Sequence, residues 1–238
     1  MKTAVLLGLL ILLSACISAP PQIAGKGAVY GIVRAAPHRL IKDDAMPESE
    51  YQQRLAIAQS ERIDYDHLDE IYVCLVERTP VAPREHLLLL SEQGFSPRAL
   101  AIGKGDRLRI RNQTSRDFDL FVAEVSGTEA GFQSFPPLRR GAEAVYTVSL
   151  AGDLEIGADQ DPALIASIFS RDGLMSQKHS SGERYAFENL NPGDYDLILW
   201  HWRLGSVQRR VTVRAGENER VDQVLSVDKV IGRISPMP

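Results

Sequence analysis

Cysteine is nearly absent from this chain, with two in 238 residues, Cys16 and Cys74. Cys16 ends an apolar leader-like run, so Cys74 has no partner for an internal disulfide, and no paired-cysteine zinc spacing exists. Cys74 lies in Ile71-Tyr72-Val73-Cys74-Leu75-Val76 and reads as a small buried hydrophobe on a strand. A long hydrophobic span is also missing. The run from Ala4 to Leu13 is too short to cross a bilayer. No excess of positive charge is present either: 27 Lys and Arg against 31 Asp and Glu give a formal charge of -4. A broad basic surface is therefore excluded, and with it a nucleic-acid partner. Finally, the chain carries no HExxH spacing, no glycine-rich phosphate loop and no nucleophile beside its base. The reading is of a protein that is not an enzyme.

The N-terminus carries a positive message. Lys2, the apolar run and then Leu13-Ser14-Ala15-Cys16 have the form of a secretory signal ending in a bacterial lipobox. On that reading Cys16 is diacylated and becomes the mature N-terminus, and loss of Lys2 takes the formal charge from -4 to -5. Ile17 after the Cys, in place of Asp, favours the outer membrane of a Gram-negative envelope over the inner one, with the body in the periplasm. Residues 1–16 are then the signal. Residues 17–26, with Pro20-Pro21, form a tether, and the membrane is a partner through the lipid anchor.

Downstream the pattern is of short strands. Gly27 to Ala35 alternates Val29, Gly31 and Val33 against Tyr30, Ile32 and Arg34, the period of a half-buried strand. Over 47–63, Tyr51, Leu55 and Ala58 recur at helical spacing behind Pro47, which predicts one inserted amphipathic helix. Strands are expected again over Asp69 to Glu77, His86 to Leu90, Arg107 to Asn112, Phe118 to Val125, Ala142 to Leu150, Leu154 to Gly157 and Leu164 to Phe169. Three more segments, Tyr195 to Trp202, Val207 to Arg214 and Val221 to Val227, follow the short strand at Tyr185 to Phe187. Many short strands between Gly- and Pro-rich turns argue sandwiches over βαβ units.

Gly94-Phe95-Ser96-Pro97, the Gly103 to Asp106 turn, the Arg107 to Asn112 strand and Phe121 resemble bacterial plastocyanin-like cupredoxins, in particular methylamine-utilisation-like proteins. In these a cupredoxin is followed by a carboxypeptidase-regulatory-like β-sandwich. Ser180 to Tyr185, Asn191 to Tyr195 and Trp200-His201 resemble that second module, which is similar to carbohydrate-binding-like folds. The likeness covers roughly Gly94 to Val213. It implies an all-β protein: a degenerate cupredoxin Greek-key sandwich over 27–170 with one inserted helix, a smaller prealbumin-like β-sandwich over 171–230, and a tail over 231–238.

The resemblance also implies a copper site, and this sequence lacks its ligands. The family's two His, Cys and Met fall at Phe118, Asp161, Ala158 and Leu164, whereas type 1 copper takes two imidazoles, a thiolate and a weak axial thioether. No cofactor is expected, and Phe118, Ala158 and Leu164 are expected to close that end by packing. Asp119, Asp159 and Asp161 stand under two readings, oxygen ligands for a hard cation such as Ca²⁺ or solvated turn carboxylates. Arg107, Arg109 and Arg111 share one face of a strand, either as an anion-binding stripe or as an outer face paired to carboxylates. Trp200 and Trp202 share a face with Ile198, and His201 points the other way. They form either core or an aromatic platform for a glycan or an envelope protein. The expected function is a non-enzymatic, lipid-anchored envelope binding or scaffold protein. The alternative is a copper or electron-transfer protein with a relocated site, for which Met175, His179 and His201 are the candidates.

Overall fold

The structure, a computed structural model, describes residues 19–37, 63–77, 82–125 and 131–226. The lipobox Cys16, the inserted helix apart from Ile63, and the tail over 231–238 lie outside the described residues. Within them every regular element is a strand, and the chain is all-β as its patterning predicts. The strands are β1 (Gly27–Ala35), β2 (Ile71–Val76), β3 (Glu85–Ser91), β4 (Gly94–Ser96), β5 (Ala99–Gly103), β6 (Arg107–Asn112), β7 (Leu120–Glu124), β8 (Phe132–Ser134) and β9 (Glu143–Thr147). They continue with β10 (Gly152–Ala158), β11 (Asp161–Arg171), β12 (Leu174–His179), β13 (Arg184–Leu190), β14 (Gly193–His201), β15 (Gly205–Val213), β16 (Asn218–Arg220) and β17 (Gln223–Leu225).

Two sandwiches result. In the first, a sheet of order β4-β3-β6-β9 faces one of order β5-β11-β10-β7-β8. Leu88, Leu90, Leu108 and Ile110 from one sheet meet Leu120, Val122, Ile156 and Ile168 from the other in a single buried cluster. The alternation of Leu108 and Ile110 with Arg107, Arg109 and Arg111 sets the register, because slipping β6 by one residue would turn three guanidinium groups into that core.

The second sandwich departs from the expected division at 170. β1 pairs with β13, β16 and β17, and β2 pairs with β12 and β14. Both N-terminal strands, assigned by chain order to the first unit, thus lie in the sheets built by the C-terminal strands. The reason is visible in β2. Ile71, Val73 and Leu75 enter the core of the second sandwich, whereas Tyr72 and Cys74 face Ala99, Ala101 and Phe169 of the first. A strand apolar on both faces must be covered on both, and only a place between the two sandwiches offers that. β14 alternates likewise, with Leu197 and Leu199 in one cluster and Ile198 and Trp200 in the other.

Hydrogen bonds lock this junction. The Tyr72 hydroxyl donates to the Ala99 carbonyl, Ser176 Oγ donates to the Ala101 carbonyl at 2.7 Å, and Trp200 Nε1 donates to Asp153 Oδ1 at 2.8 Å. Burial of Asp153 raises its pKa above the usual carboxylate range against the opposing pull of the Trp200 N–H.

β1 is held equally closely. A Cβ placed on Gly31 would stand 2.1 Å from the Val221 carbonyl oxygen and 2.6 Å from its carbon. Neither atom is the end of a flexible side chain, so β1 and the segment before β17 would have to separate. We expect Gly31→Ala to destabilise the protein by about 3 kcal/mol, read as a lower urea midpoint with an unchanged m-value. A variant within about 0.5 kcal/mol of the parent would show that β1 is not packed on the C-terminal segment.

Candidate functional site

The end of the first sandwich, where the resemblance would put copper, is built by three connections. Asn112, buried at the end of β6, accepts at Oδ1 from the Thr114 N–H and hydroxyl and donates from Nδ2 to the Arg116 carbonyl at 2.7 Å. The loop so shaped delivers Arg116 and Phe118. Phe118 then exchanges backbone hydrogen bonds of 3.0 and 2.8 Å with Leu138, and Ala158 closes the tight β10–β11 hairpin opposite Asp161 and Leu120.

Phe118, Ala158 and Leu164 are 1%, 3% and 7% exposed and belong to one core cluster with Leu120 and Leu138. Above them the Arg116 guanidinium lies 5.2 Å from the Phe118 ring centroid and pairs with Asp161 Oδ2 at 3.3 Å. Three of the four positions thus offer carbon alone. The fourth offers a carboxylate already engaged by a cation. This donor set does not fit type 1 copper, which needs soft sulfur and imidazole.

Two of the three neighbouring carboxylates, Asp119 and Asp161, have separate partners. Asp119 and Gln160 bond reciprocally, the Asp119 N–H to Gln160 Oε1 at 2.9 Å and Gln160 Nε2 to Asp119 Oδ2 at 2.6 Å. Asp161 faces Arg116. Among the described residues no three His, Cys, Asp or Glu side chains converge as a metal site, so Asp119, Asp159 and Asp161 do not form the oxygen cluster a hard cation requires. Of the relocated set, His179 and His201 come to one cleft, but Met175 packs against the core of the second sandwich.

The arginine stripe is paired across the sheet. Arg109 bonds Glu85 at 2.6 Å and Glu143 at 2.8 Å, and Arg111 bonds Glu143 at 2.7 Å. These contacts hold both glutamates below the usual carboxylate range, with the Arg109 hydrogen bond the leading cause for each. Two carboxylates therefore offset two of the three positive charges, and the face is a salt-bridged outer surface instead of an anion site.

The aromatic platform needs a correction. Trp200 is 2% exposed, between Tyr72 and Phe169 with both ring centroids at 5.6 Å, and cannot present a face to a ligand. The cause is the two-sided burial of β14. His201 is buried as well. Its Nδ1 accepts the Arg203 N–H at 3.1 Å, and burial, reinforced by the Arg203 charge, pushes its pKa down to about 4. Trp202 alone of the three stays half-buried.

Trp202 stands at a cleft of about 660 Å³ that sequence reading did not find. Its walls come from the segment before β2 (Asp69, Glu70), the end of β12 with the turn after it (Lys178, His179, Glu183), and the residues past β14. Pairing brings these together, because His179 lies opposite Ile71, and Trp200 opposite Tyr72. One end of a three-strand arrangement thereby collects residues more than a hundred positions apart. The carboxylates are held in place: Ser180 Oγ donates to Asp69 Oδ1 at 2.7 Å, and the Ser180 N–H donates to Glu183 Oε2 at 2.9 Å. Burial lowers the His179 pKa, against the pull of Glu183. Glu70 has a left-handed backbone, φ 59, a conformation that costs a non-glycine residue free energy and is concentrated at functional sites.

Comparisons with known proteins give likeness at the level of structures only. No protein family matches the chain, and no curated protein does. Among solved structures, a purple cupredoxin from Nitrosopumilus maritimus is 16% identical at a TM-score of 0.30 and covers 35% of this chain and 97% of its own. An amicyanin mutant in its oxidized state is 15% identical at a TM-score of 0.31, over 41% of this chain and 97% of its own. A copper-containing nitrite reductase from Thermus scotoductus is 20% identical at 0.31, over 39% of this chain and only 25% of its own. At these identities and overlaps nothing of their chemistry transfers.

His201 sets an acid limit on stability. In the unfolded chain it takes a proton near its ordinary value of 6.5, in the folded protein only near 4, so below pH 6.5 protons favour the unfolded state. Stability present above pH 6.5 should decline by on the order of 3 kcal/mol as pH falls to 4. His201→Gln should flatten that part of the stability–pH curve relative to the parent. Parallel curves for the two proteins would contradict the buried, neutral imidazole.

Proposed function

We propose that this chain is a non-enzymatic, lipid-anchored cell-envelope binding or scaffold protein, with a first sandwich that keeps a cupredoxin layout and has given up its copper chemistry. One observation carries the reading: Phe118, Ala158 and Leu164 lie in a closed apolar cluster where the resemblance would require three soft ligands. A packed core end has no open coordination position and gains its stability from density.

Two reactive side chains away from that end are otherwise engaged. The Cys74 thiol is fully buried, and burial drives its pKa upward, away from a reactive thiolate. The buried Asp106 accepts the Gly103 and Arg84 N–H groups and bonds His86 Nε2 at 2.8 Å. It organises the turn before β6 and the start of β3.

Purified protein mixed with equimolar Cu(II) or Cu(I) is expected to develop no intense visible thiolate band. Stoichiometric uptake with such a band would refute the proposal. Phe118→His should cost on the order of 2 to 4 kcal/mol, since it removes ring volume and buries a polar imidazole. Equal stability in that variant would mean the end is open.

The anchor has its own test. Full-length protein expressed in a Gram-negative host should partition into detergent, and Cys16→Ser should abolish both that partitioning and the processing. Unchanged behaviour would remove the lipid anchor from the account.

A further inference from the structure

We propose that a pocket on the outer face of β11 binds a carboxylate carried on a compact apolar body, with Arg98 as the group that takes the carboxylate. This rests on the binding role proposed above and names the class of ligand.

The pocket follows from strand alternation. Leu164, Ala166 and Ile168 enter the core of the first sandwich, so Ala163 and Ile165 stand on the other face of β11. There they wall a pocket of about 300 Å³ with the buried Phe95 of β4, with Trp202 at one side, and with the exposed side chains of Gln93 and Arg98. That volume is the lower end of the range for small-molecule sites, which limits the ligand to a compact one. Trp202 serves only as a packed wall.

Charge selects the ligand class. Among the described residues lining the pocket Arg98 alone is charged, so an anion is favoured there although the whole chain carries -4. Arg109, Arg111, Arg116 and Arg139 each bond a carboxylate of this chain, whereas Arg98 has no ion pair and the Gln93 amide no hydrogen bond among the described residues. A ligand therefore displaces no internal partner from either. A guanidinium fork takes one carboxylate through two parallel hydrogen bonds, and the Gln93 amide can donate a third. Phe95, Ala163 and Ile165 are left for hydrocarbon. A phosphate dianion would bring two charges to one guanidinium and set hydrated oxygens against those apolar walls. Both polar residues spring from fixed backbone: the Arg98 carbonyl accepts the Ser167 N–H at 2.8 Å, and Ser91 Oγ accepts the Gln93 N–H at 3.3 Å while donating to the Gly94 carbonyl at 3.2 Å. The donors are thus placed before a ligand arrives.

Isothermal titration calorimetry on the full chain in a zwitterionic detergent tests the inference. Cyclohexanecarboxylate stands for a free acid and N-acetylleucine for the C-terminal residue of a peptide, each run beside its neutral amide. Saturable binding of at least one acid is expected, with its amide at least about tenfold weaker, and the tighter of the two acids identifies the source. Arg98→Gln should weaken that acid by about tenfold or more, and Arg98→Lys, which keeps the charge and loses the fork, should fall between it and the parent. Because the Arg98 side chain is exposed and unpaired, both variants should keep the parent's thermal stability, so lost binding is not lost folding. No saturable binding of either acid up to about 10 mM overturns the inference. So do amides that bind as well as the acids, or an Arg98→Gln variant that binds as tightly as the parent. These failures leave the copper test untouched, whereas a blue copper band would refute the proposed function whatever the carboxylates do.

Discussion

The structure depends on two strands that are apolar on both faces. β2 and β14 sit side by side in the middle of one sheet, give alternate residues to the core of the second sandwich and to the junction with the first, and bury every side chain over Ile71–Leu75 and Leu197–His201. Cys74, Trp200 and Ile198 belong to the junction; Val73, Leu197 and Leu199 belong to the core. Each large aliphatic or aromatic residue so buried contributes roughly 1.5 to 3 kcal/mol relative to exposure. The two sandwiches therefore pack through a buried apolar interface, pinned by the Tyr72–Ala99, Ser176–Ala101 and Trp200–Asp153 hydrogen bonds. The cleft follows from the same pairing, because it lies where β2 begins and β12 and β14 end.

Much of this was legible in the sequence. The alternation in β1 and β6 located two strands and their buried faces, and the carboxylates opposite Arg109 and Arg111 were one of two stated outcomes. The apolar replacements at Phe118, Ala158 and Leu164 pointed to a packed end. Partner choice was not legible. β1 pairs with β13 across some 150 residues, and parallel with β16 and β17, and nothing in strand periodicity specifies a non-local partner. For β2 a signal did exist: five consecutive apolar residues, Ile71 to Leu75, all of them buried, mean a strand covered on both sides, which a unit edge cannot supply. The cleft escaped for a related reason, since its residues come from three separated segments that only strand register unites. Glu70 in particular has no sequence mark of its left-handed backbone.

The Phe118 end of the first sandwich and the cleft make different demands on the chain. At the first, carbon fills the interior, with Arg116 laid over Phe118 and tied to Asp161 as a lid on the core. At the second, polar groups are retained, held in place and arranged around an aromatic ring.

The packed end is the central claim, and amide hydrogen exchange examines it most directly. The Phe118 and Leu138 N–H groups bond each other's carbonyls beneath the Arg116 cover. If the end is core, both amides should exchange as slowly as those of Leu108 and Ile110 at the centre of the sheet, through global unfolding. Exchange of Phe118 and Leu138 at the rate of exposed loop amides, with Leu108 and Ile110 still protected, would contradict the account and show an open vestibule where a ligand or metal could enter.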